Sequence, residues 1–278
     1  MNSMFGSLGS PASRFFNMKI ANAITTSGQF IIKKTAEEIE KMNYEVIYED
    51  TDSCFVNLKI DSSEKADKIG KEIEEKINSF YKKYIKENYN RDSKLELEFE
   101  KNYIRFLMPK LRGEEKGAKK RYAGLLKNNK IEVTGLEAVR SDWTEAAQMF
   151  QNELLDRIFH KKEVLEYVKT FVKDLEKGKY DNKLVYRKQI RKDLDEYIKI
   201  SPPHVKAARK LKNFTGDIVE YYLTEDGPEP LQNLKHKIDY KHYIDKQIKP
   251  IADSILVFFN TNFEALISST KQKSLFNY

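Results

Sequence analysis

One stretch limits the folds open to this chain more than any other: residues 44–60, YEVIYEDTDSCFVNLKI. Apolar side chains alternate on both sides of the acidic knot Asp50-Thr51-Asp52, at Tyr44, Val46 and Tyr48 before it and at Cys54, Val56, Leu58 and Ile60 after it. A period of two is that of a half-buried strand, so the stretch predicts a β-hairpin with the knot at its reversal. Asp, Thr and Ser favour tight reversals, and the knot can be an ordinary polar turn. It can equally hold two carboxylates at a rigid tip, where hard divalent cations such as Mg²⁺ bind through oxygen.

The flanking segments extend the pattern. Residues 6–11, GSLGSP, lead into a run in which Ile20, Ile24, Phe30, Ile31, Ala36 and Ile39 recur at helical steps, predicting a helix with one buried face. Asp61-Ser-Ser-Glu64 is a helix entry, followed by a stripe of Ala66, Ile69, Ile73, Ile77, Phe80 and Tyr84 to about residue 85. Residues 93–100, SKLELEFE, alternate strictly and predict a strand paired with residues 103–108. Leu95, Leu97 and Phe99 then share one face and Glu96, Glu98 and Glu100 the other, a solvated acidic face or, for Glu98, an auxiliary carboxylate near metals. Residues 131–133 close this sheet, and Gly135 marks the passage to a second domain.

From Asp142 onward the pattern is helical. Asp142 is a candidate N-cap for a helix carrying Trp143, Ala146, Phe150, Leu154 and Phe159, and a second helix is predicted from about Lys162 to Gly178. Arg187, Lys188, Arg191 and Lys192 form a basic run in a helix–loop segment, and residues 202–209, PPHVKAAR, open a further helix bearing Lys206 and Arg209. The fold class is therefore α+β, an antiparallel sheet with packing helices followed by a mainly α-helical domain.

Composition narrows the functions. With 278 residues of which 40% are hydrophobic, the chain can bury one large or two ordinary cores. Its formal charge of +7 favours a polyanionic partner. The single Cys54 excludes an intramolecular disulfide framework and points to a reducing, cytoplasmic setting. No apolar run approaches the roughly 18 residues of a membrane span, and no secretory leader precedes the first helix. His160, His204, His236 and His242 lack the spacing of a structural zinc site.

The string YEDTDS at 48–53 resembles the YxDTDS palm signature of family B DNA polymerases. NSMFG at 2–6 resembles the second half of that family's KxxxNSxYG fingers motif, and KKRYAG at 119–124 its segment before the thumb. GLEAVRSDW at 135–143, LVYRK at 184–188, PPHVKAAR at 202–209 and DGPEPL at 226–231 are similar to the thumb of the bacterial DNA polymerase II-like branch. The resemblance runs from end to end in one order. It implies a palm over residues 1–138, a thumb over 139–278, and addition of deoxynucleoside triphosphates (dNTPs) to the primer 3′-hydroxyl of primer-template DNA.

The resemblance also assigns residues. Asp52 is expected to be the principal metal ligand and Asp50 to support it, with two Mg²⁺ ions shared with an Asp of the first palm segment. Asn2, Phe5 and Thr51 are expected at the nucleotide, Phe5 standing where the family usually has Tyr and so lacking its hydroxyl. Lys119, Lys120, Arg121, Tyr122, Arg140, Arg187, Lys188, His204, Lys206 and Arg209 are expected to meet DNA through phosphates, which gives no sequence readout. On a strand Lys120 and Tyr122 would share a side, while His204 fits a capping or phosphate-proximal place better than a catalytic one. Residues 272–276, QKSLF, resemble the peptide with which polymerases dock on a sliding clamp, through Gln272, Leu275 and Phe276, or they are an ordinary chain end.

Because the family's fingers motif begins four residues before Asn2, a split or truncated polymerase is expected. Its partner chain would carry the exonuclease, the first palm segment and the fingers Lys. Two other classes fit the same residues: a non-catalytic DNA-binding and clamp-tethering module derived from a polymerase, or a fragment with no function of its own.

Overall fold

The structure is a computed structural model that describes residues 2–109, 120–198, 201–212 and 214–272. The chain divides into two compact units, Met1–Ile104 and Arg105–Tyr278. The passage expected near residue 138 lies inside the second unit, because the strand residues Ala123 and Leu125 share one apolar core with the helices that follow.

In the first unit, α1 (Asn2–Gly9) and α2 (Met18–Lys41) precede the hairpin strands β1 (Glu45–Asp50) and β2 (Ser53–Asn57), and α3 (Ser63–Tyr89) follows. The Gly-rich opening is thus helical through Gly9, and the break comes at residues 10–17. Asn17 caps α2 by accepting from the Ile20 amide at 3.2 Å, and Ser62 caps α3 by accepting from Lys65 at 3.3 Å. The stripe expected along α2 is buried only in its second half. Ala36 and Ile39 are covered, whereas Ile20, Ile24 and Phe30 remain exposed at 47%, 44% and 45%. Ile39, Ile77 and Tyr81 form the core of this unit, with Val46, Cys54, Val56, Leu95 and Leu97 packed against it. The Tyr81 hydroxyl donates to the Ile31 carbonyl and lies 2.8 Å from the Thr35 hydroxyl, so the buried phenol joining α3 to α2 is satisfied.

Residues 93–100 keep their predicted alternation of half-buried and exposed side chains but join no sheet. Their inward backbone groups are taken by helix side chains instead. Asn78 bonds both the Leu97 carbonyl (2.8 Å) and its amide (2.9 Å), and Glu74 accepts from the Phe99 amide at 2.7 Å.

The second unit begins within the first strand of a three-stranded sheet, in the order β3 (Tyr103–Leu107), β4 (Tyr122–Leu126) and β5 (Ile131–Thr134). Its core is built on α4 (Glu145–Phe159) and α5 (Leu165–Glu176), where Phe150, Leu154, Val168, Phe171 and Leu175 are fully or nearly fully buried. Thr144, not Asp142, caps α4: its hydroxyl accepts from the Ala147 amide at 3.4 Å, while Asp142 is held by Arg140.

The region expected to be mainly helical also contains an antiparallel sheet, in the order β6 (Tyr186–Gln189), β7 (Ile218–Thr224) and β8 (Gly227–Pro230). The basic run at Arg187 and Lys188 is strand because Arg187 pairs with Glu220 and Lys188 with Val219 across the ladder. The signal for it lay in IVEYYLT followed by a Glu-Asp-Gly reversal, β-branched and aromatic residues leading into a tight turn. Beside β7 and β8 packs α6 (Pro203–Arg209), with Pro203 in its first turn.

The helices α7 (Tyr240–Tyr243), α8 (Lys249–Leu256) and α9 (Phe263–Gln272) complete the unit, with a π-helical turn at Ile244–Ile248 joining the first two. That turn holds buried Gln247 where its carbonyl accepts from both the amide and the hydroxyl of Thr144.

Gly135 stands where any side chain would collide. Its φ is +64°, and an added Cβ would lie 1.9 Å from the Lys120 carbonyl oxygen. Gly135→Ala is expected to destabilise the second unit by on the order of 3 kcal/mol, seen as a lower urea midpoint.

Candidate active site and nucleic-acid interface

The hairpin reverses through a two-residue turn, Thr51-Asp52, with Asp50 paired to Ser53. The register slips between Val46 and Tyr48, leaving Ile47 as a bulge. This extra residue changes which face the tip presents. Val46 and Val56 pack on the helical core, whereas Tyr48 meets Phe55 on the opposite face, with ring centroids 5.4 Å apart. Asp50, two residues beyond Tyr48, therefore falls on the face turned away from α2 and α3. The expectation of Tyr44, Val46 and Tyr48 on one face fails at Tyr48 for this reason.

At the tip Thr51 has a φ of +54°, an unusual conformation for a β-branched residue. Its hydroxyl donates to Asp50 Oδ1 at 3.0 Å, and the Ser53 hydroxyl donates to the Asp50 carbonyl at 3.2 Å. Thr51 and Asp52 are exposed and Asp50 is half-buried. Two carboxylates at an exposed, braced reversal offer the oxygen chemistry that Mg²⁺ takes, and Asp50, Asp52 and Thr51 are the residues that would hold or orient it. Glu98 is exposed and does not join the two aspartates in a three-carboxylate group. The donor set at the tip thus fits a hard divalent cation. Behind the tip, burial foremost and the charge of Glu49 push the Cys54 thiol up to about 11, so it stays protonated.

A different trio, Asp226, Glu229 and His236, brings its ligand atoms within 4.8 Å of one another in the second unit. It is already satisfied. Glu229 accepts from the amides of Lys235 (2.8 Å) and His236 (3.1 Å), lies 2.6 Å from His236 Nδ1, and has the Lys210 ammonium at 3.6 Å. Burial favours the neutral acid, but these hydrogen bonds outweigh it and hold the Glu229 carboxyl down to about 2. A carboxyl lowered from 4.5 on folding contributes stability above that pH and loses it as the pH falls toward 2. Acid titration of stability should therefore be shallower across this window in Glu229→Gln than in the parent chain.

The basic residues separate into two groups. Arg121 forms an ion pair with buried Glu137, which also accepts from Gln151 Nε2 at 2.8 Å. Arg209 donates to Ser201 (3.0 Å) and to the carbonyls of Leu194 (2.7 Å) and Tyr197 (3.3 Å), bracing the loop before its own helix. Arg140 is engaged by Asp142 through two bonds of 3.0 and 2.8 Å, which raise its pKa first of all. The second group faces solvent more freely. Arg187 and Lys206 are exposed, and Lys188 lies in electrostatic reach of both Asp142 and His204. Burial, and then the charge of Lys188, lower the His204 pKa and favour its neutral form. Lys188 thus acts electrostatically on both Asp142, the partner of Arg140, and His204, although 62 residues separate Asp142 from His204.

Lys120 is exposed with a φ of +58° and lies just before β4, so strand alternation does not set its direction relative to Tyr122, whose ring meets Phe106 at 5.3 Å. Lys119, Leu275 and Phe276 lie outside the described residues, as do the side chains of Asn2 and Gln272. Phe5 lines an apolar cavity of about 310 Å³ between α1 and α2, with Gly9, Met18, Ala21 and Thr25 among its walls. Among the described residues, no helix is long and apolar enough to cross a membrane.

The sequence matches DNA polymerase family B over residues 1–259. A palm-type hairpin with an acidic tip, followed by a largely helical unit, agrees with that match, and the chain belongs to DNA polymerase family B. It is 42% identical to DNA polymerase II of Escherichia coli over 99% of its own length and 37% of that protein. It is 32% identical to a DNA polymerase of Thermococcus gorgonarius, covering 99% of this chain and 36% of the relative. The solved family B DNA polymerase of the hyperthermophilic archaeon Pyrobaculum calidifontis superposes with a TM-score of 0.61 at 30% identity, over 91% of this chain and 32% of that one. The chain therefore spans about a third of these relatives' length.

Proposed function

We propose that the chain is the carboxy-terminal palm and thumb of a DNA-directed DNA polymerase, the palm ending near residue 138, and that it extends primers once joined to the polymerase part it does not span. The observation that carries this reading is the braced Asp50-Thr51-Asp52 tip, turned off the helical core by the bulge at Ile47, in a chain 42% identical to DNA polymerase II of Escherichia coli.

Asp52 and Asp50 supply two carboxylates to a shared metal site, and a third comes from an aspartate outside this chain. Mg²⁺ ions held there would provide Lewis-acid stabilisation of the attacking and leaving oxygens of phosphoryl transfer. Thr51 keeps one Asp50 oxygen oriented. Asn2 binds a phosphate of the incoming nucleotide, and Phe5 offers only its ring at the new base pair. Lys119, Lys120 and Tyr122 meet the primer strand, while Arg140, Arg187, Lys188, His204 and Lys206 line the thumb face toward the duplex. Arg121 and Arg209 act through the residues they brace. Gln272, Leu275 and Phe276 dock on a sliding clamp. The single cysteine, Cys54, leaves no intramolecular disulfide to form and fits a reducing, cytoplasmic setting.

The test is primer extension with all four dNTPs and Mg²⁺, using this chain alone, the part of the E. coli enzyme that it does not span, their mixture, and a fusion of the two. Synthesis confined to the mixture or the fusion supports the reading. DNA binding without synthesis in every combination would leave a non-catalytic DNA-binding and clamp-tethering module.

A further inference from the structure

The helical stretch from Tyr240 to Leu256 contains one wide turn, the π-helical Ile244–Ile248, in which the Lys249 amide bonds the Ile244 carbonyl five residues back. Pro250 follows directly. It has no amide to offer the Lys246 carbonyl and its ring crowds that position, so the helix widens ahead of it. Such a turn is uncommon and frequently serves a functional site. Here it carries Gln247, only 4% exposed, to a junction of three segments.

The Gln247 carbonyl accepts from the Thr144 amide at 3.3 Å and from the Thr144 hydroxyl. Gln247 is also hydrogen-bonded to the Tyr186 hydroxyl, which lies 3.0 Å from His242 Nε2. One buried side chain thus ties the cap of α4 to β6. Each anchored residue stands two positions from a charged group. Thr144 follows Asp142, which Arg140 grips through two bonds, and Tyr186 precedes Lys188 on the same side of β6, with Lys188 in electrostatic reach of Asp142. Two cations about one carboxylate leave a net positive charge, the sign that a phosphate backbone selects.

Resting on the function proposed above, we infer that Gln247 is a positioning residue for duplex DNA: by fixing Thr144 against Tyr186 it holds Arg140 and Lys188 at the spacing of one run of phosphates. Leucine in its place would leave the Thr144 amide without its buried acceptor and loosen β6 from α4.

The test measures primer-template binding over a range of salt, and steady-state primer extension, in the fusion with the unspanned part of the E. coli enzyme. Gln247→Leu is expected to raise Kd and KM for primer-template about tenfold, lower the salt slope by about 1, and leave kcat at saturating DNA within about twofold. Simple loss of folded enzyme would instead lower kcat and leave KM and the salt slope alone. Combined with Lys188→Ala, Gln247→Leu should add no more than about twofold to the loss, because both remove the same contact. Tyr186→Phe keeps the ring stacked on Tyr221 and Tyr243 and removes only the hydroxyl. It should weaken binding about threefold, and it decides the matter if Gln247→Leu does not fold. Parent-like Kd and salt slope in folded Gln247→Leu, or in Tyr186→Phe where the former does not fold, overturn the positioning role and leave the polymerase reading standing. Fully additive losses with Lys188→Ala do the same. A parent fusion that neither binds nor extends primer-template overturns both.

Discussion

Replacing Asp52 by Ala in the complemented polymerase is expected to lower primer extension roughly a thousandfold, equivalent to about 4 kcal/mol of lost transition-state stabilisation. The expectation follows from where the carboxylate sits. Asp52 is exposed at the tip of a two-residue turn, and the contact recorded for it is its own amide on the Asp50 carbonyl at 2.5 Å. Its side chain is not recruited to hold the hairpin, so its removal should leave the fold intact and act on function alone. Asp52→Asn, which keeps the shape and removes the charge, should lose nearly as much, because Mg²⁺ selects for anionic oxygen. Circular dichroism and the urea midpoint should match the parent in both variants. Activity within tenfold of the parent would show that Asp52 does not ligate the metal.

Phe150→Ala is expected to destabilise the second unit by about 3–5 kcal/mol. Phe150 is fully buried in α4, with its ring centroid 4.8 Å from Phe171 and 5.6 Å from Tyr167, and Phe171 stacks in turn on Tyr180 at 4.6 Å. Removing the ring takes away the transfer free energy of a large aromatic and leaves a hole that the three remaining rings, Tyr167, Phe171 and Tyr180, cannot close by small shifts. The measurement is urea unfolding followed by fluorescence. Trp143 is the chain's single tryptophan and packs on this same core, so it reports the second unit separately from the first. A midpoint lowered by roughly 2 M is expected for a domain of this size. A shift below about 0.5 M would mean that the core repacks around the loss.

Local pattern carried much of the architecture. The alternation around Asp50 and Asp52 marked the hairpin, Ser62 and Glu64 marked the entry of α3, and Pro202-Pro203 marked α6. These features are encoded by residues within a turn or two of one another, where backbone period and capping chemistry act directly. The strand β6 was hidden because its basic side chains read as a solvated run until Glu220, 33 residues later, was placed opposite Arg187. Residues 93–100 looked like half of a ladder, since alternation records which side chains turn inward and says nothing of what meets the backbone.

The sequence by itself determined the family, the acidic knot and the chemistry its residue types allow. Only the tertiary structure decided which of those residues remain available. Arg121 is taken by Glu137 and Arg209 by the loop carbonyls before α6, while Lys188 is brought within electrostatic reach of His204. The bulge at Ile47 turns Asp50 away from the core, a one-residue slip that leaves the apolar and polar order of the strand unchanged on paper. The physical reason is common to all of these. A periodic pattern is a property of neighbours along the chain, whereas the partner of a charge or of a backbone group is whatever packing brings within about 3 Å of it.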